Sequence, residues 1–423
     1  MKSKFFVLSF CIGLFFYFCR IDDMCGQSVF RNIPHTPYQP QERVSLVFPA
    51  NDSLAYEDIF HKIDDLLING EKKQLTILHM GGSHIQAGIF SNRVRANLLT
   101  LSPGLVAARG ILFPFSVAKT NNPYNYSTSY SGNWQSAKNT QREPCFALGL
   151  SGMCVVPEDS LATITIFTRK NDSLSYNFNI IHVLGYSDSM WVRPQLLLKD
   201  STIIDGTWNE ATLSYSFNVE SYIDTFTLKF VHDDTLWQPF YLRGFYVDNQ
   251  KSGISYVDIG VNGASVPSYL KCELLENDLQ LIQPDLCIFS IGINDANCDD
   301  FDTLQFINNY KTLIKRIKTI APNCKVLFTT NNDSYRRISR RYVNNTNGFL
   351  AQQAFYSLAR YYHCGVFDLF AYMGGLKSMS EWEKVGLAKK DKVHFTTEGY
   401  FVLGDLLYNA MLDAYVKHLN RDK

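Results

Sequence analysis

The sequence lacks an excess of charge of either sign, because 40 lysine and arginine residues balance 40 aspartate and glutamate residues. Without a basic field the chain is not expected to bind nucleic acid, and without an acidic one it is not expected to collect cations. Cysteine pairs at metal-ligand spacing are also missing, so the sequence predicts no metal site. Apolar residues make up 46% of the chain and charged residues only 19%, which is enough for a sizeable core.

Long hydrophobic runs are scarce, and the one that stands out lies at the N-terminus. Phe5 to Cys19 is almost wholly apolar and follows Lys2 and Lys4. The run is shorter than the ~20 apolar residues that a membrane-spanning helix needs. We therefore predict a secretory signal over residues 1–26, with a retained anchor as the alternative. The protein is expected in the periplasm or at the cell surface, with no stable membrane span after cleavage.

Two further features concern the rest of the exported chain. Residues 27–50 contain four prolines and little periodicity, so we predict a linker. Seven cysteines follow it, an odd number, and those beside apolar runs are expected to be buried free thiols. A disulfide between Cys145 and Cys154 is compatible with an oxidising compartment, and the sequence leaves this pairing open.

The stretch around Ser83 has the pattern of a strand, a turn and a helix. Thr76 to Met80 is apolar with β-branched residues, Gly81 and Gly82 permit a sharp turn, and helical periodicity begins after Gln86. Ser83 is therefore predicted at a strand end and at a helix N-terminus, where free N–H groups favour developing negative charge. The position suits a nucleophile, and it suits an ordinary capping serine at least as well.

The remaining chain divides into three segments by its periodicity. Residues 51–110 and 251–423 alternate strand-like with helical patterns, which predicts a parallel sheet covered on both faces. Residues 111–250 instead carry short alternating runs, such as Ala162–Phe167 and Leu213–Val219, which predict an inserted antiparallel β-sandwich. In the second α/β segment we expect strands Tyr256–Ile259, Leu286–Ile291, Val326–Thr329 and Gly365–Asp368, one helix carrying Leu270, Leu274, Leu279 and Ile282, and further helices Phe301–Ile320, Phe349–Tyr362 and Thr397–Leu419.

Candidate partners for Ser83 also follow strands or precede helices, where sites of parallel sheets lie. His394 is a candidate base, and Asp391 three residues earlier is within reach of its ring. Gly263 can bring a backbone N–H close to a ligand, and Asn294 offers a side-chain amide. Each residue alone is more often a turn or capping residue, but the four pieces occur together in a fixed order.

This order resembles that of the SGNH (GDSL-type) hydrolases, which are named for Ser, Gly, Asn and His in four blocks. The matching segments are Met80–His84, Val261–Ala264, Gly292–Asp295 and Asp391–His394. The resemblance implies a flavodoxin-like three-layer α/β/α fold with an inserted β-sandwich. The stretches Gly81–Gly88, Gly110–Phe115 and Met373–Gly375 with Trp382 are similar to secreted Bacteroidetes members that carry such an insertion.

The resemblance also implies roles for these residues. Ser83 would be the nucleophile, His394 the base and Asp391 the residue that orients His394. The backbone N–H groups of Ser83 and Gly263, with the side chain of Asn294, would form the oxyanion hole. One position departs from the family, since Gly82 stands where the first block usually has aspartate.

Three functions are compatible with this sequence. The leading hypothesis is a secreted serine esterase that removes O-acyl groups, most often acetyl, from a cell-wall or other polysaccharide, and it needs no metal or cofactor. An O-acetyltransferase would use the same residues with a sugar hydroxyl in place of water. A non-catalytic glycan-binding protein with a silent hydrolase fold is favoured by Gly82 and by Trp191, Trp208 and Trp237, although tryptophans are more often core residues.

Overall fold

A computed structural model describes residues 29–34, 36–38, 44–70, 73–102, 104–107, 109–168, 176–188, 192–232 and 238–421. The predicted signal segment, residues 1–26, lies outside the described residues, as do Trp191 and Trp237. Among the helices of the described part, none is both long enough and apolar enough to cross a membrane.

The helices are named here in chain order. They are α1 (Glu57–Asp64), which runs into a π-helical turn (Asp65–Asn69), α2 (Ser83–Gln86), α3 (Phe90–Leu99), α4 (Val266–Leu270), α5 (Leu275–Ile282), α6 (Thr303–Ile320), α7 (Asn347–Tyr362), α8 (Leu369–Tyr372), α9 (Ser378–Lys384) and α10 (Thr397–Leu419).

The strands are named in the same way. They are β1 (Gln74–Gly81), β2 (Gly110–Leu112), β3 (Tyr126–Ser131), β4 (Trp134–Lys138), β5 (Met153–Pro157), β6 (Thr163–Thr168), β7 (Phe178–Tyr186), β8 (Val192–Leu197), β9 (Ile203–Asp205), β10 (Thr207–Asn209), β11 (Ser214–Ile223), β12 (Thr225–His232), β13 (Tyr241–Asp248), β14 (Gly253–Gly260), β15 (Leu286–Ser290), β16 (Lys325–Thr329), β17 (Tyr335–Ile338), β18 (Arg341–Asn344) and β19 (Gly365–Phe367).

A parallel sheet in the order β14-β1-β15-β16-β19 forms the middle layer of the α/β part. Alternate side chains of β1 enter different cores, because successive residues of a strand point to opposite faces. Met80 packs in the core that contains α4 to α7, and Ile77 packs in the core that contains α1, α3 and α10. The predicted three-layer α/β/α architecture is confirmed, and β1 lies near its centre.

Residues between β2 and β13 form two antiparallel sheets. One has the order β10-β11-β7-β13-β5-β4, with β2 also paired to β13, and the other has the order β3-β6-β12-β8-β9. Their facing side chains pack together, as shown by the Phe178 and Phe226 rings with centroids 5.9 Å apart. The alternating runs of the sequence therefore correspond to strands. The division of the chain into separate domains stays a prediction.

Two buried ion pairs join the antiparallel part to the α/β part. Asp258 of β14 lies between Arg95 of α3 and Arg109, which precedes β2, with 2.7 Å to Arg109. Burial opposes ionisation of Asp258, but the two guanidinium groups outweigh it and lower its pKa to about 2. Arg243 of β13 contacts Asp278 of α5 at 2.9 Å, and both side chains are fully buried.

Three expectations from the sequence need adjustment. Val47, in the predicted linker, forms an antiparallel bridge to Val366 of the sheet-edge strand β19, so this end of the linker is part of the fold. The single helix expected across Leu270 and Leu279 is divided into α4 and α5, because the Leu274 N–H donates to the Leu148 carbonyl at 2.9 Å. The thiols of Cys145 and Cys154 are free, so the disulfide left open by the sequence is not formed.

Candidate active site

Ser83 is the first residue of α2 and follows the carboxyl end of β1, as predicted. The turn before it depends on Gly81, because a Cβ there would lie 2.2 Å from Ile85 Cγ1 and 2.8 Å from the Ser290 carbonyl. The Gly82 carbonyl then accepts hydrogen bonds from the N–H groups of Ile85 and Gln86. These contacts fix Ser83 at the edge of the sheet, with its side chain partly exposed.

His394 meets Ser83 from the other end of the chain. Its Nε2 lies 2.8 Å from Ser83 Oγ, and its Nδ1 lies 2.9 Å from Asp391 Oδ2. The second carboxylate oxygen of Asp391 accepts the backbone N–H groups of Val393 and His394, both at 2.9 Å. Lys392 allows this tight loop by adopting a left-handed backbone with φ of 56°.

The loop keeps Asp391 ionised. Partial burial opposes ionisation, but the backbone N–H groups of His394 and Val393 and the His394 ring outweigh it and hold the pKa of Asp391 below its ordinary value. An ionised carboxylate at Nδ1 keeps the proton on that nitrogen and leaves Nε2 as the acceptor for the serine hydroxyl. The structure therefore places the three residues in the hydrogen-bonded order that nucleophilic catalysis requires.

Two of the three predicted oxyanion donors, Gly263 and Asn294, lie on loops that converge at Gly82. A Cβ on Gly82 would be 3.4 Å from both Asn294 Nδ2 and the Ala264 carbonyl, which directly follows Gly263. Asn294 donates one amide hydrogen to that carbonyl at 2.8 Å, and its amide carries a second donor. Gly263 is exposed and has a φ of 81°, a conformation that favours glycine. Their role as an oxyanion hole stays a prediction.

Gln86 is a site residue to which the sequence analysis gave no role. Its buried side chain accepts the Asn262 N–H at 2.7 Å and donates to Thr120 Oγ1 at 3.0 Å. Asn262 in turn donates to Asn121 Oδ1 at 2.7 Å. This clamp holds the residue before Gly263, and it includes two residues that lie between β2 and β3. Its only signal in the sequence is its position two residues after the first block.

Asp295 couples the third block to the second. Its two carboxylate oxygens each lie 3.1 Å from the Val266 N–H at the start of α4. Burial raises the pKa of Asp295 to about 6, although the hydrogen bond from Val266 acts in the opposite direction. The loops that carry Asn294 and Gly263 are thus held to each other next to Ser83.

Two other histidines near Ser83 are unsuited to act as its base. His84 is buried, its Nδ1 lies 2.8 Å from the Tyr400 hydroxyl, and its ring centroid is 5.4 Å from that of His394. Burial, together with nearby His394, lowers the pKa of His84 to about 3. His79 is fully buried between the Tyr256 and Ser290 hydroxyls, and burial lowers its pKa to about 3, as expected for a core histidine.

A two-stranded hairpin, β17–β18, borders the site and was not predicted. The Tyr335 N–H donates to the Lys392 carbonyl at 3.1 Å, in the loop between Asp391 and His394. Arg336 donates to the Cys298 carbonyl at 2.6 Å and pairs with Asp299, just beyond the third block. The hairpin is therefore attached to both the histidine loop and the asparagine loop.

Other candidate features of the described residues lie away from Ser83. An apolar cavity between α1, α10 and the sheet is lined by residues such as Phe60 and Met411 and contains none of the candidate site residues. His61, Asp64 and His418 form the one group of described side chains that could hold a metal ion. Trp208, 40% exposed, contacts Tyr215 at a ring-centroid distance of 4.9 Å and is far along the chain from the site blocks.

Comparisons with known proteins found one family model and several solved structures that are similar to this chain. Residues 235–401 match the model of the GDSL-like lipase/acylhydrolase family. The solved structure of a peptidoglycan O-acetylesterase is similar to this chain with a TM-score of 0.70 at 19% identity, and the similarity covers 88% of this chain and 99% of that chain. At this identity the likeness shows a shared fold.

Two further solved structures are similar over a smaller part of the chain. An acetyl xylan esterase has 20% identity and a TM-score of 0.30, with 37% of this chain and 81% of that chain covered. A GDSL-like lipase from Bacteroides thetaiotaomicron has 19% identity and a TM-score of 0.30, with 38% and 76% covered. A search of curated proteins found no match.

Proposed function

We propose that this chain, which is an SGNH/GDSL-type hydrolase of ester bonds, is an exported serine esterase that removes O-acetyl groups from a polysaccharide. The observation that carries the proposal is the hydrogen-bonded line from Asp391 through His394 to Ser83, with contacts of 2.9 and 2.8 Å. The line joins residues 311 positions apart, so local sequence does not produce it. Its order matches the requirement of a serine nucleophile for a base that a third residue orients.

In the proposed reaction, Ser83 Oγ attacks the acetyl carbonyl carbon while His394 Nε2 takes the hydroxyl proton. His394 then gives this proton to the departing sugar oxygen, and an acetyl group remains on Ser83. Water attacks this ester with His394 as base, acetate leaves, and the proton returns to Ser83. Asn294 and the N–H groups of Gly263 and Ser83 would stabilise the negative charge on the carbonyl oxygen in both steps.

Two observations support a polysaccharide substrate and export. The fold is shared with a peptidoglycan O-acetylesterase over nearly the full length of that protein, including the antiparallel sheets. The N-terminal segment has the charge and length of a secretory signal. An acetylated glycan outside the cytoplasm is the substrate that both observations favour.

The test is hydrolysis of p-nitrophenyl acetate and of acetylated glycans by the mature protein and its variants. We expect Ser83→Ala and His394→Ala to lower kcat/KM by at least about 10³-fold, because each removes one member of a cooperating set. His363→Ala is the matched control, since this exposed histidine lies at the end of α7. Full activity in folded Ser83→Ala protein would refute the mechanism.

The same experiment separates the acetyltransferase alternative. Acetate release in water supports the esterase. Transfer of acetyl to an added oligosaccharide, with little acetate released, would assign the same residues to a transferase. A folded parent protein with neither activity would favour a binding protein with a silent site, and Gly82→Asp would then be the next variant.

A further inference from the structure

The segments that border His394 carry exposed positive charges without partners. Arg337, Arg340 and Arg341 belong to the β17–β18 hairpin, and Lys389 and Lys390 directly precede Asp391. All five side chains are exposed, and none forms an ion pair with a described residue. We refer to these five residues as the cationic rim.

The rim groups five exposed cations in two short segments, whereas the exposed cations elsewhere in the described residues are partly paired and partly scattered, as Lys251, Lys315 and Arg360 are. Several of those are neutralised, as in the pairs of Lys73 with Asp65 and of Lys199 with Asp224, both at 2.9 Å. The sequence as a whole has no net charge, so a group of five unpaired cations is a local concentration. Like charges placed together repel one another, and an anionic ligand would remove that repulsion.

The hairpin holds its arginines next to the site. Its base is bonded to the Lys392 carbonyl on one side and, through Arg336, to Cys298 and Asp299 on the other. Its tip is a turn in which Ser339 and Arg340 have φ values of 46° and 68°, although neither is glycine. A two-residue hairpin turn of this type requires a positive φ at both central positions, so the tight turn itself accounts for this conformation.

The rim also offers surface for sugar rings. Tyr342 is exposed and lies directly opposite Arg337 in the strand pairing, so these two side chains share one face of the hairpin, whereas Ile338 and Arg341 share the other face. An exposed tyrosine beside an arginine can contact the apolar face of a sugar while the guanidinium binds a carboxylate through paired hydrogen bonds.

We propose that the cationic rim binds carboxylate groups of the polysaccharide, so that the substrate is an acidic O-acetylated glycan. This inference rests on the proposed function, because it specifies the polymer whose acetyl groups Ser83 removes. Carboxylates along the glycan would contact Arg337 on one face of the hairpin and Arg340 at its tip, and the acetyl group would reach Ser83 past the His394 loop. Neutral acetylated glycans would lack these contacts.

Binding to a polymer tests the rim without requiring catalysis. The probes are polygalacturonate and the same polymer with its carboxyl groups methyl-esterified, and the measurement is the dissociation constant from affinity electrophoresis at low salt. We expect the parent to bind the free-carboxylate form at least about tenfold more tightly, because several exposed ion pairs act together. The preference should shrink in about 0.5 M NaCl, since salt screens exposed charges.

The variant R337Q/R340Q/R341Q should lose most of this preference. The matched control K251Q/K315Q/R360Q removes three exposed cations of other segments and should keep it. Circular dichroism establishes that each variant is folded. Equal binding of both polymers by the parent, no binding of either, or an unchanged preference in R337Q/R340Q/R341Q would each overturn the proposal. Hydrolysis of p-nitrophenyl acetate, measured separately, reports on the esterase itself.

Discussion

The α/β part and the antiparallel part of the molecule contribute to the site in different ways. Ser83 and Asn294 follow the carboxyl ends of β1 and β15, and His394 reaches this edge of the sheet from the loop between α9 and α10. The antiparallel part and the residues leading into it bring no candidate nucleophile or base. Their nearest contributions are Thr120 and Asn121, which hold the loop before Gly263 through Gln86 and Asn262.

The candidate reacting groups thus belong to the α/β part, and the antiparallel part contributes groups that hold them in position. Parallel strand ends place several loops at one edge of a sheet, which suits chemistry that needs three or four groups together. The antiparallel sheets supply a rigid surface behind one of those loops and are fixed to the α/β part by the Asp258 and Asp278 ion pairs. Substitutions among the candidate reacting groups should therefore mainly lower kcat, and substitutions at the junction of the two parts should mainly lower the free energy of unfolding.

The largest effect is expected from Asp391→Asn in the α/β part. The amide cannot hold the proton on His394 Nδ1 as the carboxylate does, so His394 is left in the wrong tautomer for accepting the Ser83 proton. We expect kcat to fall by on the order of 10³–10⁴-fold with little change in stability. Steady-state kinetics with p-nitrophenyl acetate measures this, and a loss below tenfold would remove Asp391 from the proposed mechanism.

The next largest effect is expected at the junction of the two parts. Asp258→Asn leaves the buried guanidinium groups of Arg95 and Arg109 without a carboxylate. We expect the free energy of unfolding to fall by about 3–5 kcal/mol, measured by urea denaturation. Asp65→Asn, in an exposed pair with Lys73, is the control and should cost less than about 1 kcal/mol. Similar losses in both variants would contradict the structural role of the junction.

Gln86 should affect the rate more than the stability, because it positions a donor loop. Gln86→Ala removes the acceptor for the Asn262 N–H, and we expect kcat to fall about 10- to 100-fold with a smaller change in KM. Gln86→Glu keeps that acceptor but loses the donor to Thr120. A larger effect of Ala than of Glu would assign the positioning to the Asn262 bond. Unchanged kcat in both would show that the clamp has no part in the reaction.

Acid should weaken the α/β part through its buried histidines. The folded-state pKa values of His79 and His84 are about 3, below the ordinary 6.5, so the unfolded chain takes up protons that the folded protein does not. Stability from these groups is complete above pH 6.5 and is lost as the pH falls from 6.5 towards 3. Between pH 6.5 and pH 5 we expect a loss of about 2 kcal/mol for each histidine. His84→Gln should show a smaller loss by urea denaturation at the two pH values, and an equal loss would refute this cause.

The smallest effect is expected in the segment that leads into the antiparallel part. Asn121→Ala removes the exposed hydrogen bond that Asn121 Oδ1 accepts from Asn262 and the longer one, at 3.4 Å, that it accepts from Gln86 Nε2, but it leaves the bond from the Asn262 N–H to Gln86 in place. Such a bond contributes about 1 kcal/mol, so kcat should fall severalfold at most. A loss of kcat comparable to that of Asp391→Asn would contradict the proposal that the two parts of the molecule contribute differently to the site.

Much of the fold could be predicted because its elements have strong periodicity. The strand predicted over Thr76–Met80 lies within β1, Gln74–Gly81, and the last helix spans Thr397–Leu419 as predicted. Thr396 caps this helix by accepting the Gly399 N–H at 3.1 Å. The prediction of one continuous helix across Leu274 was wrong, because a tertiary hydrogen bond from Leu274 to Leu148 replaces the helical one. The periodicity of one segment gives no information about a hydrogen-bond partner far away in the sequence.

The candidate site also contains some residues that the sequence predicts and others that it does not. Asp391 and His394 were predictable because they are close in sequence and share a block with a known spacing. The clamp at Gln86 and the β17–β18 hairpin were missed because their function depends on contacts with Asn262 and Lys392, far away in the chain. Polar residues that act by holding a neighbour leave no periodic signal of their own.

The contact between Ser83 and His394 also has a consequence for the timing of activity. The two residues are separated by 311 positions, and the chain between them forms both antiparallel sheets. A ribosome makes the N-terminal part first, so Ser83 is synthesised 311 residues before His394. In the proposed mechanism, a nascent polypeptide that does not yet include His394 lacks the base and is expected to be inert towards esters.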